Sequence, residues 1–188
     1  TQTMIGYCPQ HDDMPDQLTG REALYMFARL GGVPRKVLPK IVQNTIDLTS
    51  MSPYEDQLIK TYSSGFKRRV SVAIAIIGSP KFILLDEPTE GLDTQAKHML
   101  WEVFQNLRKA GKTLILATRS IEECVTVCTH MAVMVKGHTV CLGAPERLKQ
   151  KFSKGYTVTL YAMPSDIGGY IDLTPAEEFV LDTFHGSK

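Results

Sequence analysis

Two adjacent acids, Asp86 and Glu87, follow an unbroken apolar run at 82–85. Neighbouring carboxylates repel each other, so a strand that ends in such a pair usually presents it to a cation or a reacting group. The arrangement suits nucleotide hydrolysis, in which Asp86 holds Mg²⁺ and Glu87 orients or deprotonates the attacking water. A strand end with two solvated acids fits the same residues, and this short pattern alone does not separate the two interpretations.

A second candidate for phosphate chemistry stands at the start of a predicted helix, at Ser63, Ser64 and Gly65. This stretch offers backbone N–H groups, a hydroxyl and the positive end of a helix dipole, which together make an anion site. A plain N-cap by Ser63 is the alternative.

Two weaker candidates are Gln10, which precedes the residues named above in the sequence, and Asp93, which follows them. Gln10 follows a short strand-like segment, and its amide can both donate to and accept from a metal-bound water. Asp93 ends the stretch Glu90-Gly91-Leu92-Asp93, just past the acidic strand. There it could cross to a neighbouring subunit, or it could be the N-terminal acid of the next helix.

The apolar spacing predicts alternating helices and strands around these residues. Two capping boxes, Thr19-x-x-Glu22 and Ser120-x-x-Glu123, predict helix starts, and Pro145 predicts another. The other predicted elements are helices at about 20–30, 35–49, from Ser63 to Pro80 and at about 94–109, strands at 82–85 and 113–118, and a hairpin at 131–142. Continuous apolar strands between amphipathic helices predict an α/β fold, with a mostly parallel sheet covered on both faces.

Length and composition predict one substantial core with a small appendage. We expect a main domain at 1–153 with a helical subdomain at about 18–78, and a small α+β region at 154–188 that contains the strand YTVTLYA and a helix from Thr174. Of the 188 residues, 43% are apolar, and the net charge is +1, which disfavours nucleic acid as a partner. The four cysteines form no CxxC pair, so reduced thiols are expected rather than a zinc site.

No apolar run is long enough to cross a bilayer, which takes about 18 residues. The first residues lack the pattern of a secretory signal and do not begin with Met. We therefore expect the chain to be part of a longer protein.

The motifs resemble, in order and spacing, those of ATP-binding cassette (ABC) ATPases over residues 1 to about 150. Cys8-Pro9-Gln10 is similar to the Q-loop, TYSSGFKRR to the signature motif, FILLDEP to the Walker B strand, EGLD to the D-loop, and Thr118-Arg119-Ser120 to the switch loop. GYCPQHD, LTGRE and IEEC resemble the second nucleotide-binding domain of subfamily A, the lipid-exporting transporters. The tail resembles the regulatory region of that subfamily.

The resemblance implies a P-loop NTPase-like fold, ATP and Mg²⁺ as ligands, and a role for each candidate. Asp86 and Gln10 would hold the metal, and Glu87, Gln10 and Arg119 would act in hydrolysis. The residues facing the opposite nucleotide would be Ser63, Ser64, Gly65 and Asp93. The implied partners are a second nucleotide-binding domain, arranged head to tail, and transmembrane domains of the same polypeptide, with this domain on the cytoplasmic face.

Three departures from the family pattern affect these expectations. No GxxGxGK[ST] phosphate loop occurs in this sequence, so the chain alone is not expected to bind ATP tightly or hydrolyse it. Arg119 stands where a histidine is usual, and Ser64 and Phe66 replace a glycine and a polar residue of the signature. A non-catalytic, nucleotide-sensing domain is therefore one alternative. A soluble cassette ATPase of DNA repair or translation is another, disfavoured because no heptad or basic block appears.

Overall fold

The computed structural model describes residues 5–11, 14–152, Thr174 and 178–179. The chain divides into two compact units, Thr1–Leu148 and Lys149–Lys188. Most of the second unit lies outside the described residues, including the predicted strand YTVTLYA. The regulatory region expected at 154–188, and its boundary at 153, therefore stay predictions.

Three parallel strands form the sheet that organises the first unit. They are β1 (Ile5–Cys8), β2 (Phe82–Asp86) and β3 (Thr113–Ala117), and they lie side by side in that order. Cys8 is opposite Leu85 and Asp86 is opposite Ala117, so the chain leaves all three strands at the same edge. The residues that follow each strand are thereby brought close together.

The helices agree with most of the predicted positions. They are α1 (Gly20–Leu30), α2 (Leu38–Leu48), α3 (Ser64–Ile76), α4 (Thr94–Lys109), α5 (Ile121–Val127) and α6 (Pro145–Phe152), with a 3₁₀ turn at Ile59–Thr61. The predicted hairpin is also present, as β4 (Met131–Val135) and β5 (His138–Gly143). In the part of the chain that the structure describes, no helix is both long and apolar enough to cross a membrane.

Helix ends show where local signals were correct and where they were wrong. At α1 the Thr19 hydroxyl accepts from the Glu22 N–H and the Glu22 carboxylate accepts from the Thr19 N–H, which confirms the capping box. The second helix begins at Leu38 rather than 35, because Pro39 occupies its first turn. The third ends at Ile76 rather than at Pro80, since Gly78 and Ser79 take positive φ and cannot continue it.

Helix α3 separates two hydrophobic cores. Val72, Ala75 and Ile76 pack on one side with the sheet and α4. Val70 and Ala73 pack on the other side with α1 and α2. The close fit to the sheet depends on a glycine, since a Cβ at Gly6 in β1 would lie 1.7 Å from the Ala75 carbonyl oxygen of α3. Helix α3 is therefore packed against both cores, one on each side.

The prediction that both faces of the sheet are covered was wrong for the described residues. Cys8, Ile83 and Leu85 point into the core, whereas Tyr7 and Ile115 on the other face are 55% and 59% exposed. The strand order gives the physical reason. The strands follow each other across the sheet in chain order. Connections between parallel strands are almost always right-handed, and right-handed connections that advance in one direction place their helices on the same face.

Candidate functional site

The closest association between predicted site residues joins the ends of β2 and β3. The Glu87 carboxylate accepts a hydrogen bond from the backbone N–H of Arg119 at 3.0 Å and another from its Nε at 3.0 Å. The Thr118 hydroxyl lies 3.5 Å from the other carboxylate oxygen. The sheet explains this geometry, because the two segments leave neighbouring strands at the same edge.

Arg119 also binds a second acid, Glu90, through Nη2 at 2.5 Å. The hydrogen bond with Glu87 raises the pKa of the Arg119 guanidinium, and the charge of Glu90 raises it further. Arg119 is therefore positively charged throughout the physiological range. Its side chain is 72% exposed whereas that of Glu87 is 13% exposed, so solvent reaches the cation more easily than the carboxylate.

Asp86 is half-buried at the end of β2, and its carboxylate has no hydrogen-bond or ion-pair partner among the residues described. Within those ranges, no group of three or more His, Cys, Asp or Glu side chains could hold a metal ion by itself. A single free carboxylate fits Mg²⁺ bound to a nucleotide, since that ion usually takes one or two carboxylates together with phosphate and water. The donor set at this edge therefore suits a nucleotide-bound Mg²⁺ better than a metal cage made of protein alone.

Gln10 lies at the same edge, two residues beyond β1. Its position is set by a residue that the sequence interpretation had not singled out, the buried Arg68 of α3. The Arg68 guanidinium donates to the Pro9 carbonyl at 2.6 Å and also to the Gln10 carbonyl. The only sequence signal was the short basic cluster 67–69, which does not show which of its members turns inward.

The signature-like residues stand at the start of α3 and form no hydrogen bond with Asp86, Glu87 or Arg119 among the described residues. Ser63 is the N-cap of α3, and its hydroxyl accepts from the Phe66 N–H at 3.3 Å, as the capping alternative predicted. Ser63 and Ser64 are exposed, and Gly65 is half-buried. A Cβ at Gly65 would lie 3.3 Å from Leu92, so this helix start adjoins the segment that leads to Asp93.

Phe66 packs within its own chain. The centroid of its ring lies 4.4 Å from that of Tyr54 and 6.0 Å from that of Tyr62, and both pairs are edge-to-face. The Arg69 guanidinium lies 4.8 Å from the ring centroid. Three such contacts give Phe66 a structural role that a polar residue at this position would not supply.

Asp93 is the N-cap of α4, with its carboxylate accepting from the Ala96 N–H at 2.8 Å. This is the helix-terminal role that the sequence had offered as the alternative. A contact from Asp93 across an interface remains a prediction.

Glu123 is the residue whose position differs most from the expected one. The second predicted capping box is half formed: the Ser120 hydroxyl accepts from the Glu123 N–H at 3.2 Å, but the Ser120 N–H donates to Thr118 instead. The Glu123 side chain turns inward and is fully buried. There Oε1 accepts from the Thr89 hydroxyl at 2.9 Å and from the Trp101 indole N–H at 3.0 Å.

A GK[ST] triplet, the end of the phosphate-loop pattern, does occur at Gly111, Lys112 and Thr113. It follows α4 and enters β3, whereas a phosphate loop leaves a strand and enters a helix. The Lys112 ammonium donates to the Ser79 carbonyl at 2.8 Å. This triplet is therefore a structural connection, and the GxxGxGK[ST] loop is still absent from the sequence.

Comparisons with known proteins agree with this arrangement. The ABC transporter family model matches residues 1–90. Over 183 residues, 97% of the chain, identity is 45% with the retinal-specific phospholipid-transporting ATPase ABCA4 of Bos taurus and 44% with the phospholipid-transporting ATPase ABCA3 of Homo sapiens. It is 40% over 92% of the chain with ATP-binding cassette sub-family A member 17 of Rattus norvegicus. The chain spans 8%, 11% and 10% of the lengths of these three relatives.

The family match includes Gln10, the start of α3, and the Asp86–Glu87 pair. The relatives extend the match over nearly all of the remaining chain. The parallel sheet with its helices agrees with the α/β fold of these P-loop ATPase domains. The chain therefore belongs to the ABC transporter family, in subfamily A, as part of a nucleotide-binding domain.

Proposed function

We propose that this chain supplies the catalytic edge of an ATP-hydrolysing domain in a longer transporter. The observation that carries the proposal is the hydrogen bonding of the Glu87 carboxylate to the backbone and side chain of Arg119. This contact holds the Glu87 carboxylate, just beyond the end of β2, against the loop that follows β3. Such a position is where a water-orienting carboxylate is needed beside a terminal phosphate.

Each residue at this edge has a distinct role in the proposal. Asp86, assisted by Gln10, would hold Mg²⁺, which when bound neutralises charge on the phosphate oxygens. Glu87 would orient the attacking water and accept its proton. Arg119 would leave Glu87 and Glu90 to bind the terminal phosphate, because a guanidinium forms strong paired hydrogen bonds with phosphate oxygens.

The exposure of the signature-like residues supports a two-domain site. Ser63 and Ser64 are exposed at the start of α3, and within the described ranges neither forms a hydrogen bond with Asp86 or Glu87. The positive end of a helix binds anions readily when its N–H groups are accessible. We propose that Ser63, Ser64, Gly65 and Asp93 face the nucleotide of a second domain, packed head to tail.

The relatives guide the proposal for the whole protein. Two of them are named phospholipid-transporting ATPases. We propose that the full-length protein carries transmembrane domains, that this domain lies on the cytoplasmic side, and that ATP hydrolysis drives the movement of phospholipid. These names also favour a transporter over a soluble cassette ATPase.

Removing the carboxylate charge of Glu87 tests the proposed hydrolysis. In the full-length protein reconstituted in vesicles, Glu87→Gln is expected to lower kcat by about 10²- to 10⁴-fold, the usual cost of losing general base catalysis. ATP binding should be retained. Glu102→Gln is the matched control, because Glu102 is exposed on α4 and forms no hydrogen bond or ion pair with Asp86, Glu87 or Arg119 in the described ranges. Transport of a labelled phospholipid should fall together with kcat, and equal activity of both variants would contradict the proposal.

A second candidate function, nucleotide sensing without hydrolysis, is favoured by the same Arg119 contact. A cation that remains on Glu87 would keep it from accepting a proton. Under this alternative the full-length protein binds a fluorescent ATP analogue, but its ATPase activity does not change on Glu87→Gln. The two measurements therefore separate the two candidates.

A further inference from the structure

Glu123 connects three segments of the chain from inside the core. Its carboxyl oxygen Oε1 accepts from Thr89, which lies two residues beyond Glu87, and from Trp101 on α4. Its backbone belongs to α5, which starts directly after Arg119 and Ser120. All three side chains are buried, with Thr89 4%, Trp101 3% and Glu123 0% exposed.

We propose that Glu123 is a positioning residue, which keeps the turn carrying Glu87 and Glu90 aligned with the switch loop at 118–120. This inference rests on the proposed ATPase function, because it concerns the geometry of that site. Glu123 touches neither substrate nor metal in the proposal. It acts through Thr89 on one side and through its own helix on the other.

A second side-chain connection matters because the first one opens. Backbone N–H groups already hold Glu87 to Ala117 and Arg119, but the charged link between the turn and the switch loop is the contact of the Arg119 guanidinium with Glu87 and Glu90, and Arg119 is largely exposed. In the proposed cycle this contact opens when the guanidinium moves to the terminal phosphate. The Thr89–Glu123 hydrogen bond is shielded from water and remains, so the two segments keep their relative position while the exposed contact is open.

The burial of this carboxyl group is difficult to explain by stability alone. The other oxygen, Oε2, is buried and has no hydrogen-bond partner among the described residues. A buried polar atom without a partner destabilises a fold, and an apolar side chain of similar shape would avoid that cost. A helix cap at Ser120 would also form without it, because the Ser120 hydroxyl uses only the Glu123 backbone N–H. A role in aligning the turn with the switch loop explains why the carboxyl group is kept, because its Oε1 is the acceptor for Thr89 and Trp101.

Removing the Thr89 hydroxyl tests the inference in the full-length protein. Thr89→Val should lower kcat about 10- to 100-fold, the scale of a small misplacement of catalytic groups. KM for ATP should stay within about twofold, since the binding groups are unchanged. Thr89→Ser keeps the donor and should restore kcat. The matched control is Thr45→Val, which removes another mostly buried threonine hydroxyl that hydrogen-bonds to the Ile41 carbonyl within α2, away from the site.

Hydrogen exchange, measured on the same variants, provides a readout independent of activity. In Thr89→Val and Trp101→Phe, backbone exchange should rise together at 87–91 and 118–123, and Thr45→Val should leave both segments unchanged. The inference is overturned if Thr89→Val matches Thr45→Val in both kcat and exchange, or if Thr89→Ser fails to restore kcat. If the wild-type protein hydrolyses no ATP, the proposed function fails, and the exchange pattern alone decides the alignment role.

Discussion

Glu87 is fixed at both its backbone and its carboxylate by the chain segment that contains Arg119. Its N–H donates to the Ala117 carbonyl at 2.8 Å, and its carboxylate accepts from the Arg119 N–H at 3.0 Å. Glu87 also has a φ of 46°, in the left-handed region that side chains with a Cβ rarely adopt. Such strain costs on the order of 1–3 kcal/mol and is typical of functional sites, where the surrounding structure enforces it.

Replacing Arg119 should show what its charge does to this site. Arg119→His is expected to raise kcat of the full-length ATPase about 10- to 100-fold, because an imidazole can still contact the terminal phosphate but, when neutral, does not hold the Glu87 carboxylate as the guanidinium does. The variant should also gain a dependence of kcat on pH near 6.5, which the permanently charged guanidinium cannot give.

Arg119→Gln is the control for this experiment. It frees Glu87 without supplying a cation or an imidazole to the phosphate, so kcat should fall relative to Arg119→His. A fall of kcat below wild type in Arg119→His would mean that the guanidinium serves the phosphate better than an imidazole does, and would contradict the expected gain.

Ser63 allows the capping role to be separated from the proposed phosphate role. Aspartate caps helices about as well as serine, so Ser63→Asp should leave the melting temperature unchanged. Its carboxylate would repel a nucleotide phosphate, and kcat should fall by at least about tenfold. Ser63→Ala should lower stability by roughly 1 kcal/mol, as should Thr19→Ala at the start of α1. Retained ATPase activity in Ser63→Asp would exclude Ser63 from the nucleotide site.

Arg68 should matter for stability and for ATP binding together. Its guanidinium reaches two backbone carbonyls, Pro9 and Gln10, from a buried position. Arg68→Met should destabilise the domain by roughly 3 kcal/mol, the scale for losing charge-assisted hydrogen bonds in the core. KM for ATP should rise because Gln10 is no longer held.

Arg69→Met is the matched control for that experiment. Arg69 lies next along the same helix, is half-buried, and donates to the Ser50 carbonyl at 3.3 Å. Thermal unfolding and KM should both change less than in Arg68→Met. Equal effects of the two substitutions would contradict a specific link between Arg68 and the Q-loop.

Cys128 should react slowly with alkylating agents in the folded protein. Burial, followed by the charge of the neighbouring Cys124, raises the pKa of the Cys128 thiol to about 11. Since the thiolate is the reactive form, modification by iodoacetamide should be slow at pH 8 and should accelerate as pH approaches 11. Mass spectrometry of the modified peptide, with glutathione as the reference thiol, measures this rate.

The same shift predicts a loss of stability at alkaline pH. The folded state holds the Cys128 proton more tightly than the unfolded state, so the unfolded state loses its proton first. The contribution is fully present below about pH 9 and is lost as pH rises to about 11. Cys128→Ser should flatten the dependence of the melting temperature on pH in that window, and an unchanged profile would contradict the assignment.

The sequence by itself determined the elements and the order of the motifs. The apolar run before Asp86, the capping box at Thr19 and the spacing of α4 predicted their elements correctly, because these signals depend on groups within a few residues of each other. It also placed Gln10, the Asp86–Glu87 pair and Arg119 after successive strands. The register of the sheet then brought these residues to one edge.

Only the tertiary structure decided which partners the polar side chains take. The local pattern predicted a capping role for Glu123, but its carboxyl group turns inward to hydrogen-bond with Trp101 and Thr89, which are 22 and 34 residues away in the sequence. It likewise could not show that Arg68 would turn inward while Arg69 covers Phe66. These choices depend on which donors and acceptors the folded core brings within hydrogen-bond distance, and no local pattern encodes that proximity.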